Sequence, residues 1–358
     1  SDAHVVRKMI EMIRVCGREL CEAFLAADMN AARLSDKAAA SGHGSGSFFL
    51  LLAKRDVVWY SDGEKKTRRR HLSMSEKGKL SKALLYAPEN GFDRLPEGEK
   101  AAMHDYCESY KDFLNHGKTE RLCVEYCIEL AKQHGFVEFQ PGMALKTGDK
   151  VYCNNRGKGI MLAVIGKEPL SEGANIAAAH TDAPRLDLKP RPLYEEAEMA
   201  YFKTHHYGGI RKYQWVTIPL ELHGVVAKKD GTVVPVRLGE GDEAKFVITD
   251  LLPHLGGEQG KKPLNEAVPG ESLNILLGSC PSGEEDEKDR VKMHILEKLF
   301  EKYGITEDDF TSAELEAVPA AQPTDIGLDA SLIGAYGHDD RVCGYAGLRA
   351  ILELTSPA

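Results

Sequence analysis

The sequence predicts an α/β fold in which a layer of helices and strands is interrupted by a β-rich insert. Three observations predict it. Apolar residues recur at helical spacing from about Glu97 to His134, short continuous apolar runs follow, and beyond Pro190 the chain changes to alternating strands.

The elements can be justified in chain order. Val6, Met9, Ile10, Ile13, Cys16, Leu20 and Phe24 are spaced for an amphipathic opening helix. "SGHGSGS" (Ser41–Ser47) reads as a flexible stretch and "EKKTRRRHLS" (Glu64–Ser73) as a basic linker, after which Met74 resembles a natural start. In "KTERLCVEYCIELAKQHG", Leu122, Tyr126, Cys127 and Leu130 form one apolar face and Gly135 is placed to end the helix. "KVYC", "GIMLAVIG" and "ANIAAAH" read as strands covered on both faces. Past Pro190, Asp230-Gly231 predicts a hairpin turn between β-branched runs, and "KFVITDLL" and "SLNILLGS" continue the β-rich region. A helix at about 286–303, a strand in "SAELEAVPA" and a last helix from Arg341 follow. The expected domains are an extension at 1–73, an α/β domain from 74–189 plus 321–358, and an insert at 190–320.

Bulk composition narrows the function classes. The 358 residues suffice for two domains, and 42% hydrophobic with 28% charged residues is ordinary globular composition. Residues 1–73 hold 13 Lys+Arg and 9 Asp+Glu out of 46 and 55 in the chain, so the acidic excess lies in the remainder. A net charge of −9 argues against nucleic acid as the main partner. Eight cysteines without a CxxC pair read as reduced thiols of a cytoplasmic protein. "FFLLLA" (Phe48–Ala53) is too short to span a bilayer, which needs about 20 residues, so no membrane partner is expected.

Chemistry concentrates at two places. "NIAAAHTDAPRLDLKP" (Asn175–Pro190) ends an apolar run in His180 with Asp182 two residues on. A metal ion that activates water needs an imidazole held in one tautomer by a carboxylate, and His-x-Asp at a strand end suits that need. The tripeptide alone is weak, because a structural histidine would look the same. "GAYGHDDRVCGYAGL" (Gly334–Leu348) adds adjacent carboxylates at a helix start. Either could act as a helix N-cap, but two side by side repel in a way that a dication relieves.

With these residues in view, "AAAHTDAPRLDLKPRPLYEEAEMAYFKTHHYGGIRKYQW" and "LIGAYGHDDRVC" closely resemble the M18 family of metallo-aminopeptidases, the aspartyl aminopeptidase family, and most of all its bacterial branch. The resemblance runs from about Met74 to the end. It implies a mixed sheet flanked by helices and a β-rich insert used for dimer contacts. It also implies a two-metal Zn2+ centre (Co2+ or Mn2+ being compatible), peptide substrates with acidic N-terminal residues, and a homo-oligomer of twelve subunits. Residue by residue, it makes His180 a metal ligand, Asp182 the residue that orients it, and Asp339 the metal bridge, with Asp340 as the alternative. Lys203, His205, His206 and Lys212 in "KTHHYGGIRKYQW" become candidates for substrate binding, or else part of a tight strand connection.

The family pattern then continues with a Glu-Glu pair, an Asp and a final His, none of which follows "ILELTSPA" here. Glu195-Glu196 and Glu284-Glu285 stand in the wrong context and read as solvated surface charges. Asp28 is a faint echo of a downstream ligand, better read as a helical surface residue. Cys343 reads as a core residue of the last helix. The expectation is a metal-dependent aminopeptidase with little or no activity in this chain alone. The rival is a non-catalytic remnant that oligomerises or binds peptides; a deacetylase or other amidase on a similar site is disfavoured by the length of the family-like run.

Overall fold

Gly117-Lys118-Thr119 divides the long helical stretch into two helices, α1 (Glu97–His116) and α2 (Glu120–Gln133). The break has two local causes. The Thr119 hydroxyl accepts the Leu122 backbone N–H at 3.3 Å and so caps α2. Gly117 also lies against the Cys123 side chain, where a Cβ would come within 2.7 Å of the sulfur. The buried face of α2 is Leu122, Cys123, Val124, Cys127 and Ala131, whereas Tyr126 and Leu130 are half-buried, so the face is rotated from the expected one.

The computed structural model describes residues 48–52 and 84–354. The opening helix, the Ser41–Ser47 and Glu64–Ser73 segments, the start at Met74 and Asp28 all lie outside the described residues. The chain divides into two units, residues 55–110 and residues 1–54 with 111–358. In the smaller unit, a one-turn helix (Gly91–Arg94) is capped by the Asn90 side-chain Oδ1, which accepts the Phe92 N–H at 3.0 Å, before α1 begins.

The larger unit contains two main sheets. The first has the order β2-β3-β4-β1-β5, built from β1 (Phe48–Leu52), β2 (Val137–Glu138), β3 (Lys150–Asn155), β4 (Gly159–Val164) and β5 (Ile176–His180). It is mixed: β1 runs parallel to β4 and antiparallel to β5. Cover on both faces holds at Val151 and Tyr152 of β3, reaches one face of β4 through Ile160 and Leu162, and fails for β5, whose Ile176, Ala177 and Ala178 are exposed. Their strand lies at the sheet edge among the described residues.

The second sheet is antiparallel throughout, with the order β10-β7-β6-β11-β8-β9. Its strands are β6 (Arg185–Glu196), β7 (Met199–Tyr207), β8 (Leu220–Ala227), β9 (Val233–Leu238), β10 (Ile275–Gly278) and β11 (Ala313–Pro319). The predicted hairpin closes β8 and β9, with Gly231 at φ +86° and the Asp230 carboxylate accepting the Thr232 N–H at 2.9 Å. "KFVITDLL" forms only two isolated bridges, Phe246 to Leu220 and Val247 to Leu276. A small hairpin, β12 (Thr324–Ile326) and β13 (Leu332–Gly334), was not legible in the sequence.

One core serves the antiparallel sheet: Leu186, Phe202, Trp215, Leu220, Ile248 and Phe310 are among its buried members. Each such side chain contributes roughly 1.5–3 kcal/mol on burial. Helix α3 (Arg290–Tyr303) packs on β6, β7 and β10, and α4 (His338–Leu352) on β5. Glu195 is not a solvated surface charge. Its Oε2 accepts the backbone N–H groups of Val291 and Lys292, both at 2.9 Å, and so caps α3, whose own Asp289 makes no side-chain cap. Among the described residues, no helix is long and apolar enough to cross a membrane.

Candidate metal centre

His180 ends β5, and Thr181 to Pro184 carry the chain across to β6. Within that turn Asp182 folds back onto the imidazole. His180 Nδ1 lies 3.0 Å from the Asp182 carbonyl oxygen and 3.2 Å from its Oδ1. Both neighbours are acceptors, so Nδ1 is the ring's donor toward Asp182. Nε2 in turn lies 3.5 Å from Asp339 Oδ1. Residues 159 positions apart in the chain thus meet side by side, with Asp182 buried and Asp339 fully solvent-facing.

Two stitches hold the turn to the start of α4. Arg341, fully buried, donates from Nε to the Thr181 carbonyl and from Nη2 to the Lys118 carbonyl, both at 2.9 Å. Tyr336 donates its hydroxyl to the Pro184 carbonyl at 2.9 Å, and its ring lies 5.2 Å from the Arg341 guanidinium. Burial pushes the Tyr336 hydroxyl well above its ordinary pKa, so it remains a donor. Gly337 is required here: its φ is +82°, and a Cβ would overlap the Arg341 guanidinium.

The first two residues of α4 after His338 depart from helical geometry. Asp339 has φ −86° and ψ 118°, Asp340 has φ −107° and ψ 23°, and the peptide bond between them is cis. Neither carboxylate caps the helix, because the N-cap position is Gly337 with no side-chain bond. Cys343 is exposed rather than in the core, since α4 buries Arg341, Gly344, Tyr345 and Leu348 on the opposite side. A hydrogen bond with Asp340 raises its thiol pKa.

The substrate candidates are distributed differently. Strand alternation puts Lys203, His205 and Tyr207 on one face of β7 and His206 on the other. Lys203 Nζ lies 5.1 Å over the Tyr194 ring, the two histidine rings stand 5.4 Å apart, and His206 lies beside Gly270. Lys212 opens a short 3-10 turn. Among the described residues none of these four bonds to His180, Asp182 or Asp339.

Sequence reasoning gave no role to Arg341, Tyr336 or Tyr207. Tyr207 donates its hydroxyl to Asp182 Oδ2 at 2.5 Å. All three stood inside the quoted motifs, but only the folded chain reveals that they reach the turn.

A second carboxylate cluster, Glu120, Glu314 and Glu316, brings three oxygens within 4.8 Å of one another. Cations already answer it. Arg185 approaches Glu120 and Glu316 at 3.3 Å each, Lys158 lies 2.9 Å from Glu120 and also pairs Glu314, and Arg121 reaches Glu314 at 2.6 Å. Burial and the neighbouring Glu120 push the Glu316 carboxyl well above its ordinary pKa despite Arg185.

At the His180–Asp339 pair the balance is reversed. Nε2 and the exposed Asp339 carboxylate face each other, and a proton or a metal ion would bridge them. Two ligands about 2.1 Å from one tetrahedral zinc ion stand about 3.4 Å apart, so the observed separation fits a shared ion.

A strand-end imidazole fixed by one carboxylate thus faces a second carboxylate on an α/β scaffold. Residues 113–357 match the family model described as aminopeptidase I zinc metalloprotease (M18), and the chain belongs to that family. A probable M18 family aminopeptidase 1 of Clostridium acetobutylicum is 47% identical over 276 residues, which are 76% of this chain and 59% of the relative. The crystal structure of aminopeptidase I from the same organism matches with TM-score 0.69 at 42% identity, covering 76% of this chain and 61% of that one. The M18 aminopeptidase structure from Thermotoga maritima gives 0.65 at 40% identity, covering 75% and 58%. The chain spans about three fifths of the length of the curated relatives it matches.

Proposed function

We propose that this chain carries part of the catalytic centre of a metal-dependent aminopeptidase that removes N-terminal residues, acidic ones foremost, from peptides. The observation that carries the reading is the 3.5 Å approach of His180 Nε2 to Asp339 Oδ1, with His180 Nδ1 committed to Asp182. His180 and Asp339 would hold the ion, with Asp340 as the alternative carboxylate, and zinc is the metal named for the family. Cobalt and manganese suit the same donors. A bound divalent ion supplies polarisation of the peptide carbonyl and a water acidified enough to attack it. Asp182 keeps the imidazole oriented and its Nδ1 protonated, and Arg341 keeps the whole turn opposite Asp339.

Two side chains are too few for tight binding, because zinc sites use three or four protein ligands. Among the described residues no third His, Cys, Asp or Glu joins this pair. We therefore expect the chain alone to bind metal weakly and turn over little peptide, acting by itself only in oligomer formation or peptide binding. Lys203, His205 and His206 would present positive charge to an acidic side chain. The β-rich region at 190–320 would supply dimer contacts within a larger homo-oligomer, in the cytoplasm.

Zinc titration against a chromophoric chelator tests the assignment. His180→Gln and Asp339→Asn should each weaken binding tenfold or more, and unchanged affinity in both would remove the metal reading. Robust hydrolysis of an Asp- or Glu-terminated chromogenic peptide by the purified chain would instead overturn the expected lack of activity.

A further inference from the structure

Asp182 has two carboxylate oxygens, and only Oδ1 serves His180. Oδ2 accepts the Tyr207 hydroxyl, which arrives from the far end of β7. The Asp182 side chain is only 10% exposed, so water cannot readily replace a lost partner.

Tyr207 is itself held in place. In the β6–β7 ladder it pairs with Arg185, and cross-strand partners share a face. The Arg185 guanidinium lies 4.2 Å from the Tyr207 ring centre, a cation–π contact. Arg185 is fixed in turn by Asp187 at 2.8 Å and by Glu120 and Glu316 at 3.3 Å each. Beyond Tyr207 the chain turns at Gly208, with φ +74°, close against Pro184 of the same turn that carries Asp182.

We propose that Tyr207, seated on Arg185, is a positioning residue of the metal centre. Its hydroxyl pins one oxygen of Asp182 so that the other holds His180 with Nδ1 protonated and Nε2 turned to Asp339. A carboxylate anchored at one oxygen can rotate about its Cβ–Cγ bond; anchored at both, it cannot. The bond to an ionised acceptor is charge-assisted and stronger than a neutral one. Outer partners of metal-binding histidines are commonly worth about 10–100-fold in metal affinity. The inference rests on His180 and Asp339 being ligands, but its first test needs no metal.

Tyr207→Phe keeps the ring over Arg185 and removes only the hydroxyl. Long-range 1H–15N spectra of the metal-free 358-residue chain, recorded on the neutral ring and with His180 assigned through His180→Gln, should show the Nδ1-H tautomer in the wild type. A mixture with the Nε2-H tautomer is expected in Tyr207→Phe. An unchanged His180 ring overturns the inference whatever the metal does. In zinc competition, Tyr207→Phe should bind about tenfold more weakly. If His180→Gln weakens zinc binding and Tyr207→Phe does not, the positioning role is overturned while the ligand assignment stands. If His180→Gln has no effect on zinc, the ligand assignment fails and the tautomer result still judges Tyr207. Should Tyr207→Phe not fold, the wild-type chain decides the matter: a slowly exchanging Tyr207 hydroxyl proton supports the inference, and its absence overturns it.

Discussion

Arg341 binds the carbonyl of Thr181, the residue between His180 and Asp182, at 2.9 Å, although 160 positions separate them. That bond, with its companion to Lys118, makes the His-x-Asp turn and the head of α4 one rigid corner.

Removing that guanidinium should therefore be costly. Arg341→Met would strand two buried carbonyls, each worth about 1–3 kcal/mol. A loss of about 3 kcal/mol, or a Tm fall of about 6–12 °C, is expected in thermal unfolding followed by circular dichroism. A fall below about 2 °C would contradict the clamp.

Gly337→Ala should destabilise through the backbone and through collision with the same arginine. The expected cost is about 2 kcal/mol, larger than a strained loop glycine gives alone. Chemical denaturation should show a lower midpoint with an unchanged slope.

The α3 cap offers a cleaner energetic test. Glu195→Ala should cost about 1 kcal/mol by denaturant unfolding, and Glu196→Ala, which makes no such bonds, should stay within about 0.5 kcal/mol.

Glu316 and Glu221 should give opposite pH signatures. Burial and Glu120 raise the Glu316 pKa in the folded chain, so its contribution is fully present below the unfolded carboxylate range and is lost as pH rises. Glu316→Gln should therefore be more stable than the wild type at pH 8, with the gap narrowing toward pH 4. At Glu221 burial also raises the pKa, but His223 at 3.0 Å and Lys118 at 2.8 Å outweigh it and lower the carboxyl below its usual value. Its stabilisation is present above the unfolded pKa and is lost as pH falls below about 4.5. Stability curves of the wild type, Glu316→Gln and Glu221→Gln from pH 3 to 9 would separate the two.

Much of the fold was legible because local patterns carried it. The β8–β9 hairpin followed from Asp230-Gly231 and β5 from its continuous apolar run, and β11, α3 and α4 lie where the sequence placed a strand and two helices. The helix break at Thr119 was missed because a cap looks like any surface threonine until its partner N–H is known. Glu195 was misjudged for a related reason: its two donors lie 96 and 97 residues away. Cys343 fell on the wrong side because α4 turns Arg341, Gly344, Tyr345 and Leu348 inward, a face that an arginine and a glycine do not advertise by apolar type. His180, Asp182 and Asp339 stood out by chemical type, but the residues that hold them in place, Arg341, Tyr336 and Tyr207, carry no signature until the strands pair.

Strand β6 begins three residues after Asp182 and reaches Glu196, the neighbour of the α3 cap, through an irregularity between Leu188 and Leu193 where Arg191 has φ +52°. It is hydrogen-bonded near its start to β7 and β11 and near its end to β7. Cutting the chain near residue 190 to delete the β-rich region would sever that strand and strip Arg185 of Tyr207. The imidazole corner and the antiparallel sheet should therefore melt together and be inherited as one piece.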